Sequence, residues 1–169
     1  MSSFAYVGLG SNLGHPRRRL ARALSELARL PRSRLVAASP NYLSAPVGTS
    51  EPQPDYVNAV AALRTGLAPG AVLHHLHAIE HRQGRRRRRN EWRNAPRLLD
   101  LDLLLFGRRR LASSRLVVPH PRMHERAFVL RPLLDISPSA TIPGRGPARL
   151  LLRRVRKQRI ARTRSAFWR

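Results

Sequence analysis

The feature that most constrains this chain is a leucine-rich run, residues 98–106, that contains two aspartates. Because successive side chains of a strand point to opposite faces, Asp100 and Asp102 would share one face, and the other face would carry Leu99, Leu101, Leu103 and Leu105. Two carboxylates in so apolar a strand are costly to bury without a compensating positive charge. Two interpretations are open on the residues alone: ion pairing with nearby arginines such as Arg97, or binding of a hard cation such as Mg²⁺.

The net charge is extreme for a chain of 169 residues, because 33 basic side chains against 9 acidic ones give +24. All the basic side chains except Lys157 are arginine. Such a surface attracts nucleic acid, anionic lipid and polyphosphate substrates alike, so charge alone does not choose a partner. No apolar run approaches the roughly 18 residues of a membrane span, and the first residues lack a signal-peptide pattern. We therefore expect a cytoplasmic protein with no membrane partner.

The order of the predicted elements is strand, helix, two strands, helix and strand. This order is typical of an α+β, ferredoxin-like fold with a mainly antiparallel sheet flanked by helices. Pro40 interrupts the second strand and indicates an edge or a bulge there. The predicted strands are 4–9, 35–43, 56–63 and 98–106, and the predicted helices begin at Pro16 and Pro69 and end before Pro31 and at Gly84.

The chain is expected to form one catalytic or binding domain over residues 1–144, followed by a basic tail over residues 145–169. The tail contains ten basic residues and no acid. Its leucines predict a short helix, and the remainder is expected to be solvated. Five consecutive arginines, 85–89, predict an exposed loop. The chain contains no cysteine, which excludes disulfides and a cysteine nucleophile, and we expect a monomer.

A nucleic-acid-binding module is the alternative from another functional class. The arginine run and the acid-free tail favour it, because phosphate contacts give affinity without sequence specificity. It does not explain Asp100 and Asp102, since two carboxylates on one strand face would repel a phosphate backbone. A dinucleotide-binding turn at residues 8–14 is excluded by its spacing, because the third glycine of that fingerprint would fall at Leu13.

Six short motifs follow one another along residues 4–140. Together they resemble the 6-hydroxymethyl-7,8-dihydropterin pyrophosphokinases of folate biosynthesis. The most specific is the one that contains the two aspartates. The motifs are YVGLGSNL (6–13), APVG (45–48), QPDYVNA (53–59), APRLLDLDLLLFG (95–107), VPHPRM (118–123) and RAFVLRPL (126–133).

The resemblance implies transfer of a pyrophosphoryl group from ATP to the hydroxymethyl oxygen of the pterin, with release of AMP. It implies that Asp100 and Asp102 bind two Mg²⁺ ions that bridge the ATP phosphates. Arg97 and Arg85 would face the phosphates, with Arg85 delivered by closure of the arginine-rich loop. The resemblance thereby favours the magnesium interpretation over simple ion pairing.

The resemblance also assigns residues to the two substrates. Around the pterin, Tyr56 and Phe128 would sandwich the flat ring, and the amide of Asn58 would read its polar edge, as suits an aromatic heterocycle. Ser44 and the backbone near Val47 would complete the edge contacts. The residues implied around ATP are Glu80, Arg87, Trp92, Arg115, His120 and Arg126.

Overall fold

The computed structural model describes residues 1–49, 51–85 and 95–163. Its strands are β1 Ser3–Ser11, β2 Ser33–Ala38, β3 Tyr42–Ser44, β4 Tyr56–Thr65, β5 Asp100–Phe106, β6 Leu111–Ala112, β7 Val117–Val118, β8 Thr141–Ile142, β9 Gly146–Pro147 and β10 Ile160–Arg162. Its α-helices are α1 Pro16–Leu27, α2 Pro69–Arg82, α3 Ala127–Ile136 and α4 Ala148–Arg154. The predicted α+β class with a mainly antiparallel sheet is confirmed.

The main sheet has the order β10-β3-β4-β1-β5, with β2 also paired to β4, and all these pairs are antiparallel. The predicted strand 35–43 is split at Pro40, and its two halves pair with successive parts of β4. Proline has no N–H to donate to a strand neighbour, so the break falls where the sequence indicated it. The hydroxyl of Ser39 instead accepts a hydrogen bond from the N–H of Val60 at 2.9 Å.

Helices cover both faces of the sheet. The apolar sides of α1 and α2 form one buried cluster with β1 and β5, in which Leu20, Leu76 and Leu101 are almost fully buried. Helices α3 and α4 form a second cluster on the other side, around Leu104 and Leu130. Among the described residues, no helix combines the length and the apolar character that crossing a membrane requires.

Strand β5 does not keep a single alternation along its whole length. The register against β1 shifts between Tyr6 and Val7, so that Leu104 is an extra residue of β5 at a bulge. Leu99, Leu101 and Leu103 lie in the first apolar cluster, whereas Leu105 lies in the second. The prediction that all four leucines share one face was therefore wrong for Leu105, because a bulge reverses the faces beyond it.

Helix α3 was not predicted. Pro132 lies inside it, and proline in a helix interior removes a backbone hydrogen bond and argues against a helix in sequence. The helix nevertheless forms, because Val129, Leu130 and Leu133 are buried in the second cluster. Tertiary packing thus outweighs the local preference against a helix. The helix begins at Ala127, between the predicted site residues Arg126 and Phe128.

Residues 145–163 are more ordered than the expected solvated tail. The predicted short helix corresponds to α4, but strand β10 follows it and pairs with the outer edge of β3. The edge of β3 presents unpaired backbone groups, and pairing with β10 satisfies them. The division of the chain at residue 144 stays a prediction.

Candidate active site

A row of small and polar residues crosses the middle of the sheet. In the registers of β1, Gly10 lies between Asp100 of β5 and Asn58 of β4, and Gly8 lies opposite Asp102. Both aspartates therefore face the same side, as predicted. Neither glycine places a side chain in the row, which lets neighbouring side chains approach the backbone: a Cβ at Gly8 would lie 3.4 Å from the Leu104 side chain, and one at Gly10 would lie 3.3 Å from Oδ1 of Asn58. The first strand was predicted to end before Gly10, whereas it continues to Ser11.

A cavity of about 500 Å³ lies above this row. It is bounded by the sheet on one side and by the start of helix α3 on another. Most of the predicted site residues from distant parts of the sequence meet in it. Those that line it are Ser44, Val47, Tyr56, Asn58, Arg97, Asp100, Asp102, His120, Arg126 and Phe128.

Asp100 is compensated by two arginines. Its Oδ1 accepts hydrogen bonds from Nη1 of Arg85 at 2.7 Å and from Nη1 of Arg97 at 3.1 Å. Arg85 also pairs with Glu80, which is buried. Burial acts to raise the pKa of Asp100, but the charges of Arg97 and Arg85 outweigh burial and hold this pKa below its usual value. Arg85 thus contacts the aspartate already, whereas the sequence analysis expected loop closure to deliver it.

Asp102 lies in a different electrostatic environment. Within the described residues, the one basic side chain with a nitrogen within 4.0 Å of its carboxylate is His120, whose Nε2 lies 3.9 Å from Oδ2. Burial, followed by the nearby charge of Asp100, raises the pKa of Asp102 to about 7. Burial and the charge of Arg126 lower the pKa of His120 to about 4, so this histidine is neutral at physiological pH. Asp102 is therefore a carboxylate without a full positive partner.

The two aspartates suit a divalent cation that also binds a phosphate substrate. Carboxylate oxygen is the ligand that Mg²⁺ prefers, and one or two carboxylates plus substrate phosphates usually hold it. The described part of the chain has no group of three or more His, Cys, Asp or Glu residues that could hold a metal alone. Asp100 is paired with arginine, as one of the two interpretations from the sequence expected. Asp102 is a carboxylate donor of the type that such a cation prefers, and the magnesium interpretation stays a prediction.

Asn12 positions Arg97 and was missing from the predicted site. Its Oδ1 accepts a hydrogen bond from the N–H of Arg97 at 2.9 Å, and its own N–H donates to the carbonyl of Arg97 at 3.1 Å. Its Nδ2 donates to Oε1 of Gln53 and to the carbonyl of Pro54. One buried amide thus joins three segments. Asn12 stands in the first of the six motifs, residues 6–13, but the resemblance assigned it no role.

The opposite part of the cavity is aromatic and amide-lined. Nδ2 of Asn58 donates to Oγ of Ser44 at 2.7 Å, and both side chains are buried. Tyr56 is half-buried beside them. Phe128 lies in the first turn of α3, and the guanidinium carbon of Arg126 lies 5.5 Å from its ring centroid. These groups can hold a flat ring and bond its polar edge.

The remaining predicted residues are placed less centrally. Glu80 lies behind Arg85 and does not line the cavity, although it contacts that arginine. Arg115 is exposed on the connection between β6 and β7 and also lies outside the cavity. Arg87 and Trp92 lie outside the described residues. The functional roles assigned to all of these side chains stay predictions.

The sequence of the chain matches a family model described as 7,8-dihydro-6-hydroxymethylpterin-pyrophosphokinase (HPPK) over residues 6–138. The 2-amino-4-hydroxy-6-hydroxymethyldihydropteridine pyrophosphokinase of Pseudomonas aeruginosa is 53% identical over 138 residues, which are 82% of this chain and 83% of that protein. The protein of the same name from Haemophilus influenzae is 45% identical over 139 residues, 82% of this chain and 84% of the relative.

Solved structures show the same fold at low sequence identity. A crystal structure of HPPK-DHPS in complex with substrates matches 91% of this chain and 43% of its own, with a TM-score of 0.68 and 13% identity. A Plasmodium falciparum HPPK-DHPS with SDX-DHP matches 91% of this chain and 45% of its own, with a TM-score of 0.70 and 14% identity. The family match and the curated relatives together show that the chain belongs to the 7,8-dihydro-6-hydroxymethylpterin-pyrophosphokinase family.

Proposed function

We propose that this protein transfers the pyrophosphoryl group of ATP to 6-hydroxymethyl-7,8-dihydropterin in folate biosynthesis. The observation that carries the proposal is one cavity with two chemically distinct parts. One part holds the aspartate pair and Arg97, with Arg85 bonded to Asp100 from outside the cavity lining, and the other part holds a buried amide and hydroxyl beside aromatic rings. Family membership supports the same assignment. The protein is expected to act as a cytoplasmic monomer.

In the proposed reaction, the hydroxymethyl oxygen of the pterin forms a bond to the β-phosphorus of ATP. The bond between that phosphorus and the oxygen bridging to the α-phosphate breaks, AMP leaves with that oxygen, and the hydroxyl proton passes to solvent. Two Mg²⁺ ions held by Asp100, Asp102 and the phosphates would neutralise charge and lower the pKa of the attacking hydroxyl. No covalent intermediate with the protein is required.

The arginines provide the phosphate contacts on the side of Asp100. Arg85 and Arg97 are both paired with this carboxylate. Guanidinium groups bond phosphate oxygens in the same geometry as carboxylate oxygens. Arriving phosphates can therefore take over these hydrogen bonds and release the carboxylate oxygens of Asp100 for a cation. Arg126 and His120 line the cavity beside Asp102 and can contact other phosphate oxygens.

The pterin half of the reaction depends on orientation. Asn58 offers both a donor and an acceptor, and its hydrogen bond to Ser44 fixes the side-chain rotamer. Tyr56 and Phe128 offer ring faces to a planar ligand. Such positioning aligns the hydroxymethyl oxygen with the phosphorus that it attacks.

The test of the proposal is incubation with ATP, Mg²⁺ and 6-hydroxymethyl-7,8-dihydropterin, with AMP and the pterin diphosphate ester followed by chromatography. We expect equal amounts of both products, and neither when the pterin or Mg²⁺ is omitted. Release of ADP, or of AMP without pterin, would contradict the proposal, because it would indicate a different bond broken or simple hydrolysis.

The nucleic-acid-binding alternative is not favoured. The described residues give no arrangement that requires a nucleic acid, and family membership accounts for the aspartates, the neighbouring arginines and the cavity together. The alternative would become preferable only if folded protein showed no reaction and retained salt-sensitive DNA binding after loss of Asp100.

A glycine in the floor of the cavity gives a prediction for the pterin end. A Cβ added at Gly10 would lie 3.3 Å from Oδ1 of Asn58 and 3.9 Å from Cδ1 of Tyr56. Gly10→Ala is therefore expected to displace the Asn58 amide and to raise the KM for the pterin about three- to tenfold, with a smaller effect on the KM for ATP.

The control for this variant is Gly70→Ala, because a Cβ at this glycine of helix α2 meets nothing within 4 Å. Steady-state kinetics with each substrate varied in turn should leave this control at wild-type values. An equal rise in both KM values for Gly10→Ala would contradict a specific effect on Asn58.

A further inference from the structure

The last described residues of the chain contact both walls of the cavity. They follow the stretch matched by the family model, which ends at residue 138. Gln158 lies between α4 and β10 and is one of the residues that line the cavity. The sequence analysis placed it in a solvated tail, so its position gives this segment an unexpected connection to the site.

Gln158 bonds the backbone on both sides of Arg126. Its Oε1 accepts a hydrogen bond from the N–H of Ala127 at 2.9 Å, and its Nε2 donates to the carbonyl of Glu125 at 2.7 Å. Ala127 is the first residue of α3, and the N-cap side chain of Arg126 makes no capping hydrogen bond. The first N–H groups of a helix have no partner within the helix. Gln158, which lies 31 residues further along the chain, supplies a hydrogen-bond acceptor for the N–H of Ala127.

The turn that Gln158 holds carries two side chains of the cavity. Arg126 and Phe128 flank Ala127 in sequence, and the guanidinium of Arg126 lies over the Phe128 ring. Both side chains follow the orientation of the backbone at the helix start. A small rotation of this turn would therefore move the ring face that Phe128 presents to the cavity.

The same segment is bonded to the opposite wall. Two residues after Gln158, strand β10 begins to pair with β3, and Ile160 lies opposite Ser44. Ser44 accepts the hydrogen bond from Asn58 that orients the proposed pterin-binding amide. The C-terminal segment thus joins the wall formed by β3 to the wall formed by the start of α3.

We infer that Gln158 is a positioning residue that sets Phe128 and Arg126 for pterin binding. The inference rests on the proposed function, because the ligand in question is the pterin proposed for this cavity. Gln158 does not take part in bond making. Its amide fixes the α3 wall relative to the sheet wall, so its loss weakens ring binding more than it slows the chemical step.

The test compares Gln158→Met with Lys157→Met. Methionine keeps the length of glutamine and removes both hydrogen-bonding groups. Lys157 is an exposed neighbour whose side chain makes no hydrogen bond or ion pair within the described part of the chain. We measure the Kd of 6-hydroxymethyl-7,8-dihydropterin by titration, kcat, both KM values and the melting temperature.

For Gln158→Met we expect the Kd and the KM for the pterin to rise about three- to tenfold, with a smaller change in kcat and in the KM for ATP. Lys157→Met should match wild type. The pterin Kd of Gln158→Glu should lie between those of wild type and Gln158→Met. Its carboxylate still accepts a hydrogen bond from the N–H of Ala127 at the helix N-terminus but cannot donate one to the carbonyl of Glu125.

A wild-type pterin Kd in Gln158→Met would overturn the inference while leaving the proposed function intact. A lower melting temperature together with that unchanged Kd would mean that the role of Gln158 is purely structural. If wild-type protein itself binds no pterin, the proposed function fails and this inference fails with it. Titration of the wild type is therefore done first, so that the two failures are distinguished.

Discussion

Replacing Asp102 by asparagine is expected to abolish pyrophosphoryl transfer and, at the same time, to stabilise the metal-free protein above neutral pH. The activity should fall at least about 10³-fold, which corresponds to roughly 4 kcal/mol of lost transition-state stabilisation. Asparagine keeps the shape of the side chain but removes the negative charge that the proposed cation requires. Pterin-dependent AMP formation measures this loss.

The stability effect follows from the raised pKa of Asp102, which is about 7 in the folded protein against 3.8 for a free aspartate. The folded state binds this proton more tightly than the unfolded state does. The resulting contribution to stability is full below about pH 4 and is lost as the pH rises through about 7. Asparagine does not titrate, so the free energy of unfolding of Asp102→Asn should rise relative to that of wild type between about pH 4 and pH 7. The difference should persist above pH 7.

Solvent screening limits the expected increase in the free energy of unfolding. The Asp102 side chain is 35% exposed, so screening reduces the electrostatic cost of its charge. We expect a gain of about 1 kcal/mol above neutral pH, seen as a rise of about 3 °C in melting temperature with a chelator present. A gain that is independent of pH would contradict the titration of Asp102 as its source.

Asp100→Asn is the matched comparison, because it should have the same effect on activity and the opposite effect on stability. This carboxylate accepts hydrogen bonds from Arg85 and Arg97, and its loss leaves both guanidinium groups with fewer partners. The pKa of Asp100 is held below its usual value, so its contribution is present above about pH 4 and is lost as the pH falls. We expect Asp100→Asn to lower the free energy of unfolding by about 1–3 kcal/mol at neutral pH. Changes of the same sign in both variants would mean that the two aspartates share one environment.

Strand β5 and helix α3 show which features of the fold could be predicted from the sequence and which could not. Alternation placed Asp100 and Asp102 on one face, because that rule depends only on the geometry of a strand. It failed at Leu105, because a bulge is determined by pairing with β1 and leaves no mark in the sequence of β5. Helix α3 was missed for a related reason, since burial of its apolar side outweighs the unfavourable Pro132.

The same limit explains which site residues were missed. Asn12 and Gln158 bond to backbone groups 85 and 31 residues away, and nothing in their own neighbourhoods specifies those partners. Tyr56 and Asn58 were assigned to the site because the resemblance gives those motif positions a role, whereas Asn12 stands in the first motif without an assigned role. Side chains with a proposed substrate contact were thus accessible from the sequence through resemblance, whereas the hydrogen bonds that position them required the structure.

Arg97→Met is expected to lower kcat/KM by about 10²- to 10³-fold with a limited loss of stability, which is the second large effect predicted for this site. Arg97 faces the cavity and is the arginine whose backbone Asn12 fixes. Methionine removes the guanidinium that is proposed to bind phosphate, while the Asn12 hydrogen bonds keep the chain in place. Asp100 retains its bond to Arg85, so the free energy of unfolding should fall less than in Asp100→Asn.

The controls for this variant separate geometry from charge. Arg97→Lys should recover only part of the rate, because a single ammonium group cannot donate two parallel hydrogen bonds to a phosphate. Arg22→Met removes an exposed arginine from helix α1, in the helical layer away from the cavity, and should leave kcat/KM unchanged. If Arg97→Met stays within about threefold of wild type, Arg97 serves only as a counterion of Asp100. The phosphate contacts would then be left to Arg85, and the corresponding Arg85→Met variant should show the full loss.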